Sequence, residues 1–240
     1  MIEKTKGIVL QQIRYGDNSR IVHIYTDLFG KLVFLVKGMG KRSKLQRSFF
    51  FPLSLLDLEI SYKPARNMQN IRDASAPVPL INLHTEIRKT TVALFISEIL
   101  SKTLSEEEAN PQLFNFLYHS VLQLEHDNSS TGIFHLLFLA RLTGYLGFQP
   151  VNSFSDDQIY FDLREGAFVP SLPTHADFLD KEDSQYFSFL FHSPDNGEKI
   201  FPGTPPDKMD FLEKIIRYYR IHLEGMGKIN SLNILHEIFH

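Results

Sequence analysis

The 240-residue sequence contains no cysteine and no tryptophan. Without cysteine there can be no disulfide, no thiolate metal ligand and no thiol nucleophile, and nothing points to an oxidising compartment. Long apolar runs are also missing. The longest fall far short of a bilayer span, so no membrane segment is expected. The opening stretch MIEKTKGIVLQQIRYGDNS lacks the apolar core and cleavage pattern of a signal peptide. The expectation from these absences is a soluble cytoplasmic protein. Hydrophobic residues at 43% and charged residues at 22% fit an ordinary globular chain, long enough to bury a core without staples.

Signatures of catalysis are missing as well. GMGKRS (38–43) superficially resembles a phosphate-binding loop. That loop needs Gly at position 35, which is Leu, and Ser or Thr at 42, which is Arg. GMGK recurs at 225–228, so the tetrapeptide reads as turn material. The ten His are scattered, with no H-E-x-x-H and no ligand-spaced cluster; His119 and His126 could share a helix face, but two ligands make no site. There is no G-x-S-x-G elbow. Asp156–Asp157 and the run 106–108 read as solvated charge. No metal, cofactor or active site is expected. A nuclease using Asp156, Asp157 and a His is the weakest of the functional readings.

What the chain does have is a lopsided charge. Residues 1–72 hold 13 Lys and Arg against 5 Asp and Glu, a net of +8, and the remainder carries −11, giving −3 in all. A basic module on an acidic body suggests a polyanion partner, most commonly nucleic acid. The charge concentrates between Leu28 and Leu56, where Lys31, Lys37, Lys41, Arg42, Lys44 and Arg47 occur without one carboxylate. Arg14 and Arg20 flank a turn just before it.

Hydrophobic patterning divides the chain. GIVLQQIR (7–14), RIVHIYTD (20–27), KLVFLVKG (31–38), LDLEISYK (56–63) and a stretch near 69–74 read as strands separated by Gly, Asp and Asn turns. Five short strands in about 75 residues fit a small β-domain of the oligonucleotide-binding (OB) or SH3-like kind. After the linker at 75–82 the period becomes helical over 83–104, from Asn110-Pro111 onward, over 131–146, near 181–191, over 207–223 and over 231–239. The expected domains are 1–80, basic and nucleic-acid-binding, and 81–240, helical with an irregular insertion at about 148–206.

Three features stay open between structural and functional readings. Phe49–Phe51 could fill the β-domain core, dock it to helices, or stack on bases beside the cations. Arg141, alone among apolar neighbours, needs a partner: a structural acid, or an incoming acidic, aromatic peptide end. Lys214, Arg217 and Arg220 form a possible second basic strip, although Arg217 could pair with Glu213.

Four segments resemble one family. KGIVLQQIRYGDNSRIVHIYTDLFGKLVFLVKG (6–38), RLTGYLGFQP (141–150), YFDLREGAFVP (160–170) and YYRIHLEGMGKINSLNILHEIF (218–239) are similar to the RecO family of bacterial recombination mediators, in order and at matching distances. The resemblance implies an α+β architecture: an N-terminal five-stranded OB-fold β-barrel, then an all-helical C-terminal domain with an irregular insertion. It implies a non-enzymatic, nucleoid-associated DNA-repair mediator. Such a protein binds single- and double-stranded DNA, anneals complementary strands, and with RecR assists RecA loading on DNA coated by single-stranded-DNA-binding protein (SSB), whose acidic tail it recognises. On that reading Arg14, Arg20, Lys31, Lys37, Lys41, Arg42, Lys44 and Arg47 contact DNA. Many family members carry a four-cysteine zinc knob after the central helix. Here the segment 151–173 has no cysteine, so no zinc is expected and the hairpin is held by Tyr160, Phe161 and Phe168. The alternative function is a scaffold whose basic module docks an acidic protein.

Overall fold

The computed structural model describes residues 1–37, 47–104, 108–126, 131–192 and 206–239. The expected basic-loop residues Lys41, Arg42 and Lys44 lie outside them. Two compact units emerge: Met1–Asp127 with Ile229–His240, and Asn128–Lys228.

The first unit is built on strands β1 (Ile2–Tyr15), β2 (Ser19–Thr26), β3 (Gly30–Lys37), β4 (Leu55–Ser61) and β5 (Asn70–Ser75), in the antiparallel order β3-β2-β1-β4-β5. β1 is long because it serves two partners: Ile2–Ile8 pair with β4, and Gly7–Tyr15 with β2. Gly7 marks the crossover. A Cβ there would lie 2.6 Å from Ile24 and 2.9 Å from Leu58, so no larger residue fits. The alternating apolar positions Val22, Ile24, Leu32, Phe34, Val36, Leu56, Leu58 and Ile60 converge on one core. Phe50 fills that core, Phe49 packs at its margin, and Phe51 is 42% exposed beside His84. The aromatic triplet thus divides, with its middle ring structural.

The expected closed barrel is not formed. β3 and β5 are the two ends of the sheet order, and among the described residues they approach through one parallel bridge, between Phe34 and Gln69, the residue before β5. Gln69 donates its backbone N–H to Val33 O (2.8 Å) and accepts from Leu35 N through its carbonyl (3.2 Å). Its side chain is held by the turn before it, through Lys63 N, Lys63 O and Arg66 O. Beyond Gln69 the strand pairs with β4, and although Ile71 and Ala74 pack on the common core, the backbone ladder to β3 does not continue.

Helices α1 (Ile81–Thr85), α2 (Ile87–Thr103), α3 (Pro111–His126) and, from the other end of the chain, α7 (Ser231–Phe239) complete this unit. The Asn110 side chain accepts from Leu113 N at 3.0 Å, the cap expected before Pro111. Glu125 accepts from Asn82 N and Leu83 N, holding α1 to α3. Two further ties are long-range. Lys31 Nζ donates to Ser101 O (2.6 Å) and Leu104 O (2.7 Å) at the C-terminal end of α2. There the orphan carbonyls and helix dipole favour a cation, while burial lowers the lysine's pKa. At the start of α7, Glu98 accepts from Asn230 N (2.9 Å), Ser231 N (2.8 Å) and Ser231 Oγ (2.6 Å). A carboxylate from α2 thus caps this helix from outside its own sequence. Burial of Glu98 acts to raise its pKa, but the hydrogen bonds from Ser231 and Asn230 outweigh it and hold it below the ordinary glutamate value.

The second unit holds α4 (Thr131–Tyr145), α5 (Lys181–His192), α6 (Lys208–His222) and a three-stranded sheet, β7-β6-β8, from β6 (Tyr160–Asp162), β7 (Ala167–Val169) and β8 (Phe178–Leu179). The all-helical expectation is corrected here: among the described residues of the insertion, three short strands pair into a sheet and α5 follows them. Aromatic packing builds it. Phe161 is fully buried against Phe168 (4.9 Å between ring centres), Phe187 (4.8 Å) and Tyr218 (5.6 Å). Ion pairs reinforce it. Asp177 accepts from Arg164 Nε at 2.7 Å and also pairs with Arg217, while Asp162 Oδ2 lies 3.1 Å from His175 Nε2. The Arg164 hydrogen bond leads the causes that hold Asp177 below the ordinary aspartate value. Among the described residues no three His, Asp or Glu are placed to hold a metal ion, and no helix is long and apolar enough to cross a membrane.

Three stability outcomes follow from these ties. Glu98→Ala should cost about 1–3 kcal/mol by denaturant unfolding at neutral pH, the usual loss when buried donors are stranded. Because the folded pKa of Glu98 is depressed, its contribution is full above the unfolded carboxyl value and fades as pH falls through the folded one; the gap between wild type and variant should narrow in acid. Lys31→Ala should lower the unfolding free energy by about 1 kcal/mol, and Lys37→Ala, on an exposed side chain, should leave it unchanged. Asp177→Asn should lower the melting temperature by a few degrees, again with a difference that shrinks in acid, where wild-type Asp177 protonates.

Candidate nucleic-acid interface

The turn Gly16-Asp17-Asn18 closes a hairpin in which Tyr15 faces Ser19, Arg14 faces Arg20 and Ile13 faces Ile21. β3 continues the rows: Val36 lies opposite Arg20 and Lys37 opposite Ser19. Three of the sequence-predicted cations, Arg14, Arg20 and Lys37, are therefore gathered at one end of one sheet. Nearer the core the register differs by one residue, since Val9 faces Ile24 while Gln11 faces His23. Leu10 is the extra residue, a β-bulge of the kind that re-aims side chains. Without it Arg14 would face Ser19.

The electrostatics of this end are one-sided. Arg14 and Lys37 are exposed and Arg20 is half-buried. Asp17 is the nearest acid, 3.9 Å from Arg14, with both side chains largely in water, so the pair is weak. Arg20 donates to the carbonyl of Ser19 at 3.0 Å. Among the described residues no carboxylate pairs with Arg20 or Lys37. Cations directly opposite each other repel, and an anion between them relieves that cost. Arg47 begins the 3-10 turn Arg47–Phe50, which opens the chain segment packed beneath the sheet.

The remaining expected site residues lie elsewhere. Lys31 sits on the same sheet, but its ammonium is committed to the end of α2. In the second unit Lys214 is bound to Asp183 (2.5 Å) and Asp210 (2.7 Å), and Arg217 to Asp177 instead of Glu213. Burial works against the Lys214 charge, yet hydrogen bonds to Asp183 and Asp210 raise its pKa well above the ordinary lysine value. Arg220 Nε donates to Gly227 O at 3.3 Å. Arg141 is half-buried on α4 between buried Ala140 and Leu142. The first two members of the α6 strip are thus neutralised by aspartates: Asp183 and Asp177 lie far off in sequence, while Asp210 is one helical turn before Lys214 and was a local signal. Sequence reasoning also missed the aliphatic row Ile13–Ile21–Leu35 beside the cations. Its signal was available: Ile13 and Ile21 are equidistant from the turn centre, Asp17, as are Arg14 and Arg20.

Comparison with known proteins bears on what such a surface serves. Residues 1–77 match the family model described as Recombination protein O N terminal, and residues 84–232 match Recombination protein O C terminal. The chain is 37% identical over 240 residues to a DNA repair protein RecO of Azobacteroides pseudotrichonymphae, with the whole of both chains covered. It is 33% identical over 240 residues to the protein of that name from Phocaeicola vulgatus, again over both whole chains. With the Flavobacterium johnsoniae protein it shares 34% over 238 residues, 98% of each chain. A basic β-module joined to a helical region, matched by both halves of one family along its length, leads to one assignment: the chain belongs to the RecO family of DNA-repair and recombination mediator proteins, which are not enzymes.

Proposed function

We propose that the open end of the five-stranded sheet is the surface on which this protein holds DNA. Arg14, Arg20 and Lys37 lie at that end, and Lys41, Arg42, Lys44 and Arg47 follow Lys37 in the chain. The observation that carries the reading is the row in which Arg14 stands directly opposite Arg20, with Lys37 at the same end on the other face and, among the described residues, no carboxylate paired with Arg20 or Lys37. Such a row neutralises phosphates without reading base sequence, so it serves single strands and duplexes alike. Bringing two strands to one cationic surface lowers their mutual repulsion, and annealing then needs no nucleotide hydrolysis. Lys31 is left out of the contact set because its ammonium serves α2. The strip of Lys214, Arg217 and Arg220 is a poorer phosphate surface because aspartates already occupy its first two members. Family membership supports the finer reading that the protein works with RecR, on DNA coated by SSB, and engages the acidic SSB tail.

Binding to a single-stranded oligonucleotide should weaken with salt, log K falling by about 0.7 per phosphate neutralised for each unit of log salt. Replacing Arg14, Arg20 and Lys37 together with Ala should flatten that slope by about 2. Replacing Lys41, Arg42, Lys44 and Arg47 with Ala should flatten it by about 3. Neither set should alter the melting temperature appreciably. Slopes identical to wild type in both variants would place the DNA surface elsewhere.

A further inference from the structure

β1 outruns its partner β4. The pairing with β4 ends at Ile8, and the last backbone bonds on that side are Val9 N to Ser54 O (3.0 Å) and Leu53 N to Val9 O (2.8 Å). From Gln11 to Tyr15 the strand is paired with β2 alone, and among the described residues nothing pairs with its other edge. All five residues are exposed, Ile13 by 44% and Tyr15 by 56%. In an antiparallel strand every second residue turns its N–H and C=O away from the existing partner, so this edge offers unpaired donors and acceptors in water. Natural sheets protect such edges with short length, charge or cover. Arg14 supplies charge here, and the end of α2 reaches Gln11, whose side-chain oxygen accepts from Ser101 Oγ at 3.2 Å; from Gln12 to Tyr15 the strand has no proline and, among the described residues, no backbone partner on this edge.

The two faces beside this edge differ in chemistry. One carries the row Ile13–Ile21–Leu35, with Tyr15 next to it. The other carries Arg14 opposite Arg20. A strand added at the edge would extend both rows: an apolar side chain beside Ile13 and an acidic one beside Arg14, one residue on. We propose that the β1 edge from Gln11 to Tyr15 takes an extended protein segment with alternating acidic and apolar residues as an added strand. Main-chain hydrogen bonds would give the affinity and the two rows the register. Charge decides the occupant. A second copy paired edge to edge would bring two Arg14–Arg20 rows onto one sheet, where like charges repel. An acidic segment closes the row instead. DNA phosphates can accept from edge N–H groups but offer no donors for the edge carbonyls, whereas a strand supplies both in alternation. Arg14 and Arg20 are shared with the proposed phosphate surface, so an acidic segment seated here competes with DNA. The edge itself stands independently of that reading.

The test uses fluorescence anisotropy on the full chain with a labelled alternating Val/Glu peptide of about ten residues. Controls are the same peptide N-methylated at alternate residues and a Val/Lys peptide. The Val/Glu form should bind, and both controls should bind about ten-fold more weakly or worse, because one loses the strand hydrogen bonds and the other the charge match. Ile13→Ser, with unchanged melting temperature, should weaken the peptide about five-fold and leave affinity for single-stranded DNA as in wild type. Unmoved DNA affinity in that variant separates this site from the phosphate surface. Equal binding of the N-methylated peptide, or no effect of Ile13→Ser, overturns the proposal. So does a wild-type dimer in sedimentation that Ile13→Ser dissolves, since the edge then belongs to a second copy.

Discussion

Two registers compete along β1, and the structure depends on how they are reconciled. The turn at Gly16–Asn18 imposes one: it pairs residues equidistant from Asp17 and so sets Arg14 against Arg20. The core imposes another, one residue out of step, in which Val9 must face Ile24 to enter the apolar cluster. A one-residue slip exchanges the faces of every side chain, so neither end can yield without losing either the core or the charged row. Leu10 absorbs the difference as a bulge. It lies next to the point where β1 leaves β4, and Leu53, held in the left-handed backbone region at φ 61°, donates to Val9 O just there. That conformation is unusual for a non-glycine residue. Here it fixes the strand at the last residue before the bulge. The result is a sheet with a buried apolar half and a projecting half sorted into a cationic row and an aliphatic row.

The rest of the chain shows a consistent division of labour among its charges. Some are consumed in structure: Lys31 at the end of α2, Glu98 at the start of α7, Asp177 between Arg164 and Arg217, Lys214 between Asp183 and Asp210. These groups are partly buried and meet partners distant in sequence, where a lost partner would be costly. Arg14, Arg20 and Lys37 lie at a water-facing end, where no such partner compensates them. This separation gives the +8 of the first 72 residues a specific meaning. Lys31 is taken up in structure, whereas Arg14, Arg20 and Lys37 meet at one end of one sheet.

How much of this could be read in advance follows from the range of the interactions. The five strands, the Asn110 cap and the buried character of Phe34 were legible because alternation and capping are local. The hairpin register was legible too, through symmetry about Asp17. The bulge was not, since it arises from a conflict between the turn and a core assembled from strands as distant as β4. Closure of the sheet was misjudged for a similar reason: strand count says nothing about whether the backbone ladder continues from β5 to β3. The role of Lys31 depended on carbonyls some seventy residues away, and that of Arg217 on Asp177, forty residues before it. The three-stranded sheet of the second unit was visible only as the hairpin of β6 and β7. Its third strand has two residues and is fixed by pairing to β6, not by any pattern of its own.

On this reading DNA is held at the projecting end of the sheet rather than on the α6 strip. Hydrogen–deuterium exchange of the whole protein, with and without a single-stranded oligonucleotide, tests that most directly. Protection concentrated in residues 11–23 and 36–47 is the predicted footprint. Protection concentrated in 208–222, with the hairpin unchanged, would contradict it.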